Sequence, residues 1–214
     1  MKKIHIDNFP EKTHQLFRPE RPMLVTSKNE NGSLNVAPFS WITPISAQPL
    51  YLILALLTLP KKQDSLKNIE RTGEFGVGLP QIELAEKLVQ SSFNYPKEVS
   101  KFDYLSLTEE KSVKINTGLI QECRANFECK VEKSELIGDH TLLVAKVLAV
   151  HYEKKLYLKD LIINLNKTTP CIHYRKNFYK NSEKHIFLTG VSEQLEIKKP
   201  YPNLPDDYYD NIGN

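Results

Sequence analysis

The chain has 214 residues, 40% hydrophobic and 26% charged, with a formal net charge of +3. That is the size and balance of one globular domain, or one domain with an extension, long enough to bury a sizeable core. Basic residues spread along the chain give no face for nucleic acid. Cys123, Cys129 and Cys171 are too few and too unevenly spaced for a disulfide framework or a zinc site. The longest apolar run, residues 50–59, is far short of the roughly 20 residues that a bilayer needs. The opening Met1-Lys2-Lys3-Ile4-His5 has no apolar leader core, so the expectation is a cytoplasmic protein with no membrane partner.

In chain order, residues 1–19 read as a polar lead-in with room for one short strand. Residues 23–27 are apolar and follow Pro22. Asn31-Gly32 supplies a positive-φ turn, and residues 34–38 return, so the first firm element is a hairpin. A second strand pair is expected at residues 41–46 and 50–57, the latter bracketed too tightly by Pro49 and Pro60 to be a helix. Asp64 or Ser65 is a natural N-cap, and Gly73 a natural C′ residue, for a helix over 65–72. Residues 74–79 form the next strand, where Gly76 and Gly78 imply close approach by another backbone or by a ligand. A second helix is expected over 82–90, followed by a mostly polar connection from 91 to 116.

Residues 125–135 and 141–152 alternate as a long hairpin turning at Gly138-Asp139, with Cys123 and Cys129 placed six apart on one face as small core residues. Beyond Lys154 the pattern weakens, and the last residues are rich in Pro, Tyr and acid. Strands at both ends with short helices between them make a mainly β fold with inserted α-helices, an antiparallel barrel rather than a doubly wound sheet. No Gly-x-Gly-x-x-Gly follows a strand, which removes the usual dinucleotide fold. No Gly-x-Ser-x-Gly or His-Glu-x-x-His occurs either.

Two segments carry the chemistry. In Asn35-Val36-Ala37-Pro38-Phe39-Ser40-Trp41, small and rigid residues let a planar ring lie against the backbone. Asn35 offers both a donor and an acceptor to the ring edge, and Trp41 offers an apolar flank or an indole N–H. The plainer alternative is a strand end closed by proline, with Phe39 and Trp41 in the core. In Lys61-Lys62-Gln63-Asp64-Ser65-Leu66-Lys67-Asn68, the free amides of a helix start, the Ser65 hydroxyl and the neighbouring lysines, Lys62 among them, make an anion site. The alternative there is an ordinary capped helix. A ring slot followed by an anion site suits flavin mononucleotide (FMN). Lys101, His140 and His173 are further candidates to face it, against plain readings as a surface lysine, a turn histidine and a packed aromatic pair with Tyr174. No catalytic general base and no metal site is expected.

With Arg21-Pro22, Asn35-x-Ala-Pro-Phe-Ser-Trp, Asp64-Ser65-Leu66-Lys67-Asn68-Ile69, Thr72-Gly73-Glu74-Phe75, Lys101-Phe102, Glu122-Cys123 and Ile137-Gly138-Asp139-His140 in this order, the chain resembles the flavin reductase-like proteins with an FMN-binding split barrel, of the flavoredoxin type. The resemblance covers about residues 16–179. It implies a split-barrel domain, set over residues 1–180. Residues 181–214 have no counterpart in the resemblance and are expected, from their Tyr and Pro content, to be a C-terminal extension that packs on a partner subunit. It implies a homodimer with FMN near the subunit interface and NAD(P)H as a visiting co-substrate. Electrons would pass through FMN to a free flavin or a partner protein, unless the protein is a non-enzymatic electron carrier. Carried over by position, Asn35, Ala37, Pro38, Phe39, Ser40 and Trp41 meet the flavin, Lys62, Ser65 and Asn68 sit toward its phosphate, and Lys101 and His140 touch it. His173 stands where similar proteins often have an aromatic residue, and Gln63 where a hydroxyl residue is expected.

Overall fold

A computed structural model describes residues 3–7, 9–96, 99–179, 182–189 and 193–197. The strands are β1 (Met23–Lys28), β2 (Leu34–Phe39), β3 (Ile42–Ala47) and β4 (Leu50–Leu57), followed by helix α1 (Asp64–Thr72) and β5 (Glu74–Leu79). Then come α2 (Ala85–Ser91), α3 (Lys101–Tyr104), the short pair β6 (Glu109–Glu110) and β7 (Leu119–Ile120), and the long hairpin β8 (Ala125–Ile137) and β9 (His140–Tyr152). Strands β10 (Ile172–Tyr179), β11 (Ser182–Thr189) and β12 (Glu193–Ile197) form a separate three-stranded antiparallel sheet.

Seven strands make the main sheet in the order β2-β1-β5-β8-β9-β4-β3, every pair antiparallel. The two terminal strands, β2 and β3, are consecutive in the chain and joined by only Ser40 and Trp41. Such a link spans on the order of 10 Å at most, so the sheet must curl until its two edges meet at one corner. Away from that corner the edges are not hydrogen-bonded to each other. This is an antiparallel split barrel.

Alternation fixes what fills it. Met23 and Val25, Leu52, Leu54 and Leu56, Phe75 and Val77, and Leu143 and Ala145 point inward, and Leu66 and Ile69 of α1 close the same cluster. Leu54 and Leu56 are fully buried, each contributing roughly 1.5–3 kcal/mol by burial. A second cluster lies on the other face of β1 and β2, where Leu24 and Val36 meet Leu84, Leu88, Val89, Phe102 and Leu105 from the helical segment. β2 is thus backed by α1 and by the α2–α3 segment.

Several expectations are corrected. The lead-in holds a 3-10 helix, Glu11–Phe17, and a single bridge from Glu20 to His173, rather than a strand. The N-cap of α1 is Gln63, with no side-chain cap, rather than Asp64 or Ser65, while Gly73 does end the helix in the left-handed region at φ 73°. The helix expected over 82–90 is a 3-10 turn, Ile82–Leu84, running into α2. Cys123 and Cys129 do not share a face: Cys123 lies before β8 in the outer cluster, and Cys129 lies in the barrel interior. The close approach at the β5 glycines comes from the protein's own side chains. A methyl at Gly76 would collide with Thr26 Oγ1 and lie 2.8 Å from Leu119 Cδ2, and one at Gly78 would lie 2.6 Å from Cys123 Sγ. Residues 198–214 of the expected C-terminal extension lie outside the described residues.

Candidate functional site

The site gathers along the open edge of β2 and the start of α1. Val36 turns its carbonyl away from the sheet, where Lys101 Nζ donates to it at 3.3 Å and to the Ser91 carbonyl at 3.1 Å. Two residues on, Pro38 faces the same way. A proline lacks the N–H that an edge position would leave unpaired, which is why it is tolerated there. Lys101 also lies over the Tyr95 ring, 5.6 Å from its centroid. Burial pulls its amine down from the ordinary lysine range to about 8, and the nearby Asp64 carboxylate opposes that shift.

Asn35, Ser65 and Asn68 are all buried and form one hydrogen-bonded patch with Ser27. Asn35 Nδ2 donates to Ser65 Oγ at 2.9 Å and to Ser27 Oγ at 3.3 Å. Asn68 Nδ2 donates to Ser27 Oγ at 3.2 Å and to Asn29 Oδ1 at 2.8 Å. Ser65 Oγ accepts here, so its own proton remains for a second acceptor. Beside it, the helix start is open. The Gln63 side chain is turned back to accept from Leu57 N at 3.0 Å, and its backbone N–H donates to Leu57 O at 3.2 Å. It therefore caps nothing, and the first amides of this nine-residue helix have no side-chain acceptor.

At the other end, the corner residue Trp41 is held on three sides. Its indole Nε1 donates to Glu20 Oε1 at 3.2 Å. The His14 ring meets it edge-on with centroids 5.6 Å apart, and the His140 ring lies tilted against it at 4.6 Å. His140 Nδ1 is 2.6 Å from Asp139 Oδ1, and that hydrogen bond holds the Asp139 carboxyl below its usual range. His140 pairs with Leu57 at the end of β4, and the Asp139 carbonyl accepts from Thr58 and Leu59. The end of β4, with Gln63, therefore ties the Trp41–His140 pair to the helix start. His173 pairs with Glu20 through two backbone bonds, of 2.9 and 2.7 Å, which brings it beside the residue that holds Trp41.

The remaining candidates fall as follows. Ala37, Pro38 and Phe39 are half-buried on the edge strand, with Phe39 packed against the barrel interior. Ser40 and Trp41 line a cleft of about 720 Å³ with His14, Phe17, Glu20, Arg21 and Ile42. Trp41 is 42% exposed, not a core residue. Lys62 Nζ is engaged by both carboxylate oxygens of Glu70, at 2.9 and 2.8 Å, and Lys67 by Asp64 at 2.7 Å. The cation seated at the β2 edge is therefore Lys101 rather than the helix-start lysines. Sequence reading missed Glu20 and Ser27, and it singled out Gln63 without its role in leaving the helix start uncapped. Only Glu20 carried a signal, by adjoining the Arg21-Pro22 pair. Burial pushes all three cysteine thiols up, Cys171 to about 12, which removes them as nucleophiles. Among the described residues no cluster of metal-ligating side chains occurs, and no helix is long and apolar enough to cross a membrane.

The chain is thus a split barrel with a polar slot along one open edge, the half-buried Lys101 amine on one side and an aromatic corner at one end. The chain belongs to the flavin reductase like domain family, whose model matches residues 18–182. An uncharacterized protein of Archaeoglobus fulgidus is 33% identical over 169 residues, 78% of this chain and 92% of that one. One of Aquifex aeolicus is 28% identical over 157 residues, 72% of this chain and 80% of that one. Among solved structures, nitrilotriacetate monooxygenase component B from Bacillus cereus has the same fold, with a TM-score of 0.72 at 22% identity, covering 94% of this chain and 98% of that one. Flavoredoxin from Methanosarcina acetivorans follows at 0.69 and 18%, covering 90% and 95%.

Proposed function

We propose that this chain binds FMN along the open edge of β2 and works as an oxidoreductase, moving electrons from NAD(P)H to a flavin or protein acceptor. The observation that carries the reading is the convergence of three things on one slot: the uncapped start of α1, the Ser65 hydroxyl and the Lys101 ammonium. An oxyanion needs main-chain amides, a hydroxyl donor and a cation, and this donor set matches a phosphate dianion. The edge of β2 and the Trp41–His140 pair supply the flat surface that a tricyclic ring requires.

When bound, the flavin supplies the redox chemistry. The chain binds, orients and shields it. Asn35 fixes Ser65 for the phosphate end. Lys101 places a positive charge at the edge strand, where it favours added negative charge. Asp139 holds the His140 ring against Trp41. No residue is assigned as a general base. We read the protein as a cytoplasmic homodimer, which suits its free, buried cysteines. The exposed Leu136 and Ile137 at the tip of the β8–β9 hairpin are apolar surface that a second copy would cover.

The test is a visible spectrum of the purified protein and of stripped protein after addition of FMN, then anaerobic mixing with NADH and NADPH. The expected result is a yellow protein with one FMN per chain that bleaches with at least one nicotinamide. Protein that stays colourless in excess FMN overturns the binding reading. Protein that holds FMN but bleaches only with a chemical reductant leaves an electron carrier rather than a reductase.

A further inference from the structure

The turn between β1 and β2 carries Asn31-Gly32, the only Asn-Gly pair in the chain. Asn29 N donates to Ser33 O at 2.8 Å and Gly32 N to Asn29 O at 3.0 Å, with Gly32 at φ 87°. That conformation favours glycine. The turn therefore demands the one residue that leaves its own nitrogen unshielded by a side chain. A methyl built on Gly32 would meet nothing within 4 Å, and Asn31 and Gly32 are both exposed.

The Asn31 side-chain amide is polarised. Its Oδ1 accepts from Ser33 N at 3.1 Å and from Ser33 Oγ at 2.7 Å. Ser33 Oγ in turn accepts from Asn29 Nδ2 at 3.0 Å, so its single proton is committed to Asn31. Two donors on a carbonyl oxygen stabilise the negative charge that develops there when a nucleophile adds to the carbon. The Asn31 Nδ2 makes no hydrogen bond among the described residues.

We propose that Asn31-Gly32 is a self-modification site whose conversion weakens anion binding at the Asn35–Ser65–Asn68 patch. Gly32 N loses its proton to solvent and bonds to Asn31 Cγ. The Cγ–Nδ2 bond breaks, and the nitrogen leaves as ammonia with a proton from water. Water then opens the cyclic imide at either carbonyl, giving aspartate or isoaspartate. Nothing is oxidised or reduced: an amide and water become a carboxylate and ammonium. The brake is the bond from Gly32 N to Asn29 O, which opens when the exposed turn frays.

The effect reaches the patch through a short relay. Asn29 holds Ser33 through its Nδ2, and its Oδ1 accepts from Asn68 Nδ2 at 2.8 Å. Isoaspartate lengthens the backbone of the turn that sets Asn29, and either product adds a negative charge. This part rests on the FMN reading. The modification itself stands on the turn alone.

Full-length protein is incubated in mildly alkaline buffer, folded or in denaturant, and peptide maps resolve asparagine, aspartate and isoaspartate. In the folded protein Asn31 is expected to convert while the other asparagines stay largely intact. Ser33→Ala should slow the conversion about three- to tenfold, a difference that disappears in denaturant. Circular dichroism checks that each sample is folded. Conversion of Asn31 only in denaturant overturns the proposal, as does an unslowed Ser33→Ala. Aged protein, separated from fresh by ion exchange, should bind FMN about three- to tenfold more weakly. Equal affinity of aged and fresh protein overturns the link to the patch. If fresh protein takes up no FMN, the flavin reading and the link both fall, and the modification stands.

Discussion

Lys101 gives the sharpest prediction, because its environment ties cofactor binding to a proton. Burial holds its amine at about 8 against an ordinary 10.5, with Asp64 pulling the other way. At neutral pH the charged amine therefore costs the empty protein on the order of 3 kcal/mol. Folding disfavours the charged form, so this cost fades as pH rises from about 8 toward the unfolded value near 10.4. A phosphate dianion beside the amine reverses the balance and restores the proton. Binding FMN should then take up about half a proton at pH 8 and about three-quarters at pH 8.5. Affinity should fall with pH above 8, approaching a tenfold loss per unit. Isothermal titration calorimetry in buffers of different ionisation enthalpy counts the protons directly. Lys101→Met should abolish the uptake and weaken binding at pH 7 by about 10–100-fold. Zero uptake by the wild type at both pH values refutes the reasoning, as does an undiminished uptake by the variant.

Three further outcomes are expected. Glu128 is fully buried and accepts from Val113 N, Lys114 N and Ile115 N and from His151, at 2.6–3.0 Å. Glu128→Gln turns one acceptor oxygen into a donor and orphans two partners whichever way it sits, a loss of roughly 2–6 kcal/mol by chemical denaturation. Burial raises the Glu128 carboxyl, but the hydrogen bonds from Val113, His151, Lys114 and Ile115 together outweigh it and lower the group overall. Its contribution is therefore present above the unfolded value near 4.3 and should be lost as pH falls through the lower folded value, an acid limb that Glu128→Gln flattens. Gly76→Ala places a methyl against Thr26 and Leu119 and should cost about 1–3 kcal/mol, read as a lowered melting temperature. Asn35→Ala unpins Ser65 and should weaken FMN binding by about tenfold, read by titration of the stripped protein.

The elements that the sequence revealed best are those that depend on local pattern. β4 was readable from its bracketing prolines, the first hairpin from Asn31-Gly32, the β8–β9 hairpin from alternation, and the end of α1 from Gly73. What stayed hidden depends on tertiary partners. Nothing near Gln63 in sequence announces that its side chain is spent on β4, leaving the helix uncapped. The Lys62–Glu70 pair is eight residues apart, outside any helical spacing rule, so a lysine that looked available is engaged. Gly76 and Gly78 signalled close approach by another backbone or by a ligand, and the space is taken by the side chains of Thr26, Leu119 and Cys123 from distant parts of the chain. The ordered motifs named Asn35, Ser65, Asn68, Lys101 and His140; the structure brings the first four to the edge of β2 and the start of α1, and His140 against Trp41 at the barrel corner. It adds Glu20 as the residue that sets Trp41.

The rim where β2 meets no neighbour has one more consequence. A bare strand edge invites another chain to add itself, and from there to aggregate. Here Lys101 occupies the Val36 carbonyl, and Pro38 contributes no hydrogen to a newcomer. The edge at the barrel opening is thus guarded against an added strand. A variant lacking both guards, Pro38→Val with Lys101→Ala, should precipitate on concentration where the parent protein remains clear.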